Sequence, residues 1–135
     1  MVTSNIATTL IQQSISMSVK KIFSAKTTIK SINDIKLLMK QLDIATDLDV
    51  IRIYVENKPH DEALTLAWQN LNNTLYSILK QTESINKKID RYESLYKIQK
   101  IYYGEIDFTD DYHQIEHLMN QLNRRLELLL KIINF

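Results

Sequence analysis

The residues with the clearest capacity for chemistry lie near the C-terminal end, in His113-Gln114-Ile115-Glu116-His117. Histidines four apart share one face of a helix and can grip zinc, and a glutamate between them can serve as general base. The motif fixes only three residues in five and supplies no third ligand. Polar side chains on a solvated helix face account for it more simply. The acids Glu105, Asp107, Asp110 and Asp111 just before it lack the D-x-[DN]-x-[DN]-G order of a calcium loop and read as cap and first-turn acids. Lys80, Lys87, Lys88, Arg91, Lys97 and Lys100 interleave with Tyr92, Tyr96, Tyr102 and Tyr103, the ingredients of a nucleic-acid surface. Against that, the net charge is only +1, and tyrosines at helical spacing usually serve a core or an interface. With no cysteine there are no thiol nucleophiles, thiolate metal sites or disulfides. The expectation is a protein that is not an enzyme, with no catalytic residue, metal site, cofactor or nucleic-acid partner.

The elements that must carry these side chains are helical. At 135 residues with one glycine and one proline, the chain has too few turn formers for a β-sandwich or barrel and no Gly-rich phosphate loop. Apolar residues recur at spacings of three and four in segments placed at about 3–23, 29–56, 61–103 and 110–134. The third would be far longer than its neighbours, so a break is expected near 84–88, where Ser84 and Asn86 weaken a helix. The β-branched run Val50-Ile51-Arg52-Ile53-Tyr54-Val55 competes as a strand but would have no partner, and it is read as helix. Trp68 shares a stripe with Leu64, Leu71 and Leu75 and is expected in the core. The fold class is all-α, an antiparallel bundle of four to five helices forming one domain over 1–135. The chain stops on a helix at Ile132-Ile133-Asn134-Phe135, as a domain excised from a longer protein would.

The first segment is unusual. Residues 1–19 contain no charged side chain, whereas 20–40 hold six lysines against the single acid Asp34. Charge then alternates in blocks: acids dominate 43–62, bases 80–100, and acids again 105–116. A helix clothed in Ser, Thr, Asn and Gln costs far less to desolvate than one clothed in charges. Lysines beside it favour an anionic membrane surface. Ile6, Leu10, Ile11 and Ile15 are therefore the candidate face for membrane insertion or packing between protomers. Lys20, Lys21, Lys26 and Lys30 are the candidate lipid-headgroup contacts. No run approaches the 18 apolar residues of a spanning helix, and no continuous apolar core of a secretory signal is present.

The order of these features resembles the HeLo-type helical bundles, including fungal HeLo domains, the N-terminal bundle of mixed-lineage kinase-domain-like pseudokinases and the related bundles of plant coiled-coil resistance proteins. The resemblance rests on the uncharged opening helix Ile6 to Val19, the basic stretch Lys20–Lys40, the spacing Leu71-Leu75-Ile78-Leu79 and the closing Leu118-Leu122-Leu126-Leu129. It implies a cytoplasmic bundle that oligomerises with copies of itself, is recruited to anionic phospholipid and permeabilises membranes in regulated cell death. The first helix departs from some fungal members in lacking spaced glycines. A soluble bundle that docks a partner protein's helix, as an adaptor, chaperone or regulatory subunit, is the alternative.

Overall fold

The computed structural model describes residues 2–26, 30–41, 44–57, 61–95 and 107–134, with backbone alone for 2–7 and 44–47. Among them are five helices and no strand: α1 (Val2–Phe23), α2 (Lys30–Lys40), α3 (Ile44–Asn57), α4 (Glu62–Glu93) and α5 (Thr109–Ile133). The all-α bundle expected from the periodicity is thus present, and the β-branched run 50–55 is helical within α3. Most of the gap expected between the second and third segments, at 58–60, and the continuation of the third through 96–103 lie outside the described residues.

The longest helix, α4, begins where Asp61 accepts a hydrogen bond from the Leu64 N–H at 2.7 Å, satisfying one of the orphan donors of a helix start. It then runs 32 residues, about 48 Å at 1.5 Å per residue. The expected break near 84–88 does not occur. Ser and Asn weaken a helix when their side chains compete for its backbone. Here Asn86 spends its amide donors on α1, and buried Thr82 donates back to the Leu79 carbonyl at 2.8 Å within the helix.

A break appears instead in the second predicted segment, which is divided into α2 and α3. The Gln41 N–H closes α2 on the Leu38 carbonyl, and each piece serves its own core cluster. One cluster joins Ile32, Ile35 and Met39 of α2 to Ile22, Ile85, Ile89, Phe108, Ile115 and Met119. The other joins Leu48, Ile51 and Val55 of α3 to Ile15, Trp68, Leu71, Leu75, Leu129 and Ile133, among others.

Contacts put α4 against α1 and α5, with α2 and α3 lying across α1 and α5 on the other side. Pairings between α4 and α5 run in opposite directions, from Lys88–Asp111 to Asn70–Arg125. Those between α1 and α4 rise together, from Thr8–Asn72 to Lys21–Asp90. The antiparallel expectation therefore describes α4 with α5, whereas α1 and α4 are parallel neighbours.

The α4–α5 seam contains the principal buried charge. Asp111, expected as a first-turn acid, does sit in the first turn of α5 and is also buried. Its carboxylate accepts from Gln81 Nε2 at 3.0 Å and from Lys88 Nζ at 2.7 Å. Lys88 also donates to the Asp107 carbonyl and lies 4.9 Å from the centre of the Phe108 ring, a cation–π distance. The ammonium thus ties the start of α5 to α4. Asp107 receives hydrogen bonds from both the hydroxyl and the N–H of Thr109, which hold its carboxyl below the usual carboxylate value. Because the folded value is the lower one, this contribution is present above the unfolded carboxylate range and is lost as pH falls through the folded value.

Trp68 is only 2% exposed, and its indole N–H has no hydrogen-bond partner. Two outcomes follow for urea unfolding monitored by circular dichroism. Trp68→Phe costs much less than Trp68→Ala, about 1 against 3–5 kcal/mol, because the indole N–H contributes no bond to lose while the ring fills the core. Asp111→Ala costs about 2 kcal/mol by stranding Gln81 and Lys88, tempered by the partial exposure of the lysine.

Candidate functional site

The two flanks of α4 are covered by different chemistry. Toward α5 the contacts are largely apolar, supplemented by Asp111 and by Arg125, which donates to the Asn70 carbonyl and the Thr74 hydroxyl. Toward α1 the seam is polar along much of its length. The Thr8 hydroxyl, fully buried, donates to Asn72 Oδ1 at 2.6 Å. Asn86 Nδ2 donates to both the carbonyl and the hydroxyl of Ser18, each at 2.9 Å. Lys21 Nζ meets Asp90 at 2.8 Å, and the Lys26 main-chain N–H donates to Glu93 at 2.9 Å. From α3, Arg52 donates to the Thr9 hydroxyl. Between the polar contacts, Ile15 and Ile22 are the buried apolar side chains of α1, with Ile11 and Val19 partly buried.

The inward stripe of α1 therefore reads Thr8, Ile11, Ile15, Ser18 and Ile22, at helical spacing. The proposed insertion face is divided by this geometry. Ile15 is 4% exposed, Ile11 packs partly against the core, and Leu10 is 57% exposed on the outer side. The Ile6 side chain lies outside the described residues. Met17, at 72% exposed, shares the outer side with Leu10, seven residues away. The physical reason is the absence of charge before Lys20, which leaves little polarity contrast along most of the helix to orient it. The asparagines of α4 can then draw Thr8 and Ser18 inward.

The four candidate lysines gather at one end of the bundle, where α1 finishes and α2 begins. Lys20, Lys26 and Lys30 are exposed, and Lys21 is more than half exposed despite its ion pair. Asp90 and Glu93 at the C-terminal end of α4 share this end. The lysine block is therefore partly neutralised while α1 is docked. Sequence reasoning missed Asn72, Asn86, Asp90 and Glu93. Their signal lay in two asparagines and two acids at helical spacing on a single flank of an otherwise amphipathic helix.

The arrangement can do one thing readily. A polar seam loses less on opening than an apolar one, since water replaces each hydrogen bond that is broken. One bond is already missing, because Asn86 Oδ1 is buried without a partner. No described helix is long and apolar enough to cross a membrane. Among the described residues, no group of three or more His, Asp or Glu is placed to hold a metal. Glu116 accepts from the Tyr112 hydroxyl at 3.3 Å, and its carboxylate pushes the phenol up from its ordinary value. Much of the tyrosine-rich basic stretch, including Tyr96, Lys97, Lys100, Tyr102 and Tyr103, lies outside the described residues. No family model, curated protein or solved structure matches the chain.

The seam makes a direct prediction. Asn86→Leu costs less than about 1 kcal/mol, because it removes an orphaned acceptor along with two hydrogen bonds. Asn86→Asp costs about 3 kcal/mol at neutral pH by placing a carboxylate against the Ser18 carbonyl. Paired urea titrations of the two variants check the contrast.

Proposed function

We propose that the protein is a non-enzymatic helical bundle that acts at membranes by releasing α1, whose face then meets anionic lipid and neighbouring copies of the chain. The observation that carries this reading is the pairing of a helix uncharged through Val19, its lysines confined to the last turn, with a polar, water-replaceable seam. Undocking α1 would separate Lys21 from Asp90 and the 20–30 segment from Glu93. The lysines would then be freed beside the helix that enters the lipid. Ile11 and Ile15, covered in the docked state, would join Leu10 and Met17 on the released surface. The released helix meets the membrane surface rather than spanning it, since no described helix is long and apolar enough to cross a bilayer. The HeLo-type resemblance implies the same class of activity.

A second reading takes the bundle as a docking module for a partner's helix. It draws on α3, where Val50, Ile53 and Tyr54 are each more than half exposed.

A cross-link separates the two. The chain has no cysteine, so Ser18→Cys with Asn86→Cys installs a single pair across the seam where the native side chains meet at 2.9 Å. The reduced protein is expected to float with phosphatidylserine-containing vesicles and release their contents, and the oxidised protein to do neither. Lys20→Glu with Lys21→Glu abolishes flotation in the reduced form. Equal flotation with neutral and anionic vesicles, or activity unaffected by the cross-link, contradicts the membrane reading.

A further inference from the structure

The histidine motif is not used by the membrane reading, and its surroundings give it a different role from the hydrolytic one its spacing suggests. His113 and His117 are both exposed on α5, four residues apart within one continuous helix. Side chains at this spacing stand about 5–6 Å apart at Cβ, which lets two imidazoles reach one ion from the same face. Tyr112 sorts the neighbouring groups. Its ring meets that of His113 edge-on, with centroids 5.6 Å apart and planes at 71°. Its hydroxyl donates to Glu116. His113 is thereby oriented by an aromatic wall, while Glu116 is engaged by the tyrosine. Among the described residues, neither histidine takes part in an ion pair.

We infer that His113 and His117 form a two-point chelate for a late first-row divalent ion, copper, nickel or zinc, with the remaining coordination positions open. Imidazole nitrogen suits these ions, and copper is favoured over nickel and zinc by the general order of divalent affinities. The missing third protein ligand and the engaged Glu116 make this a binding site without the base and substrate cleft of a metalloprotease. Affinity comes from the chelate effect. Once one imidazole holds the ion, the second meets it at high effective concentration, so the pair binds about 100-fold or more tighter than either alone.

The test is titration of the full, tag-free chain with copper, nickel and zinc chlorides, followed by calorimetry and by imidazole resonances in NMR spectra. Saturable binding is expected, strongest for copper, with both histidines perturbed together and affinity falling about 100-fold in either His113→Ala or His117→Ala. His60, the remaining histidine, is expected to stay unperturbed. Both targets are exposed, so melting of the metal-free variants should match that of the parent. Gln121→His in the His113→Ala background rebuilds the four-residue spacing with His117 and restores affinity. Binding that survives either alanine substitution, or that centres on His60, overturns the inference. So does a parent chain that binds no better than a single-histidine variant.

Discussion

On α4, Leu71, Leu75, Ile78 and Ile85 are completely buried, with Leu64, Ala67, Trp68 and Ile89 nearly so. A stripe of that length must be covered along its whole course, and no single neighbour in this chain does it. The division of α2 from α3, the two core clusters and the use of both α1 and α5 as flanking helices are consequences of covering one 32-residue helix. Between the clusters, buried Thr82 and Asn86 interrupt the apolar stripe. At the same level Ser18 comes in from α1, so the polar interruption is shared by the two helices.

The two flanks are held with unequal strength. On α5, Ile115, Met119, Leu122, Leu129 and Ile133 are buried, preceded by fully buried Phe108, and Asp111 adds hydrogen-bonded charge. On α1, among described side chains, buried apolar surface comes mainly from Ile15 and Ile22. Two fully buried isoleucines stabilise by about 3–6 kcal/mol in total, and the ion pair between Lys21 and Asp90, more than half exposed on both sides, adds little. Among the described side chains, partly buried Ile11 and Val19 add apolar contact, and the other contacts are hydrogen bonds that water can replace. Elements of this kind populate the low end of a protein's local opening energies.

The helices were legible in the sequence because long amphipathic segments have an unambiguous period. Trp68 was legible for the same reason, lying on the stripe with Leu64, Leu71 and Leu75. The α2–α3 division was not, since the apolar spacing of 29–56 is continuous and the break serves two clusters assembled from distant parts of the chain. That Leu10 and Ile15 fall on different sides of α1 was not legible. Hydropathy alone placed Leu10 with Ile15, but the hydrogen bonds of Thr8 to Asn72 and of Asn86 to Ser18, between residues 64 and 68 apart in the chain, set the rotation of the helix. Asp111 was readable as a first-turn acid but not as a buried one, because Gln81 and Lys88 reach it only through the fold.

The central claim is that α1 opens independently of the rest of the bundle. Native-state hydrogen exchange, followed residue by residue across increasing denaturant, measures that directly. The account predicts that the amides of α1 exchange through a sub-global opening, well before those in the middle of α4 and α5, and that this opening becomes still easier in Asn86→Asp. Amides of α1 that exchange only with global unfolding, in step with those of α4 and α5, would contradict it.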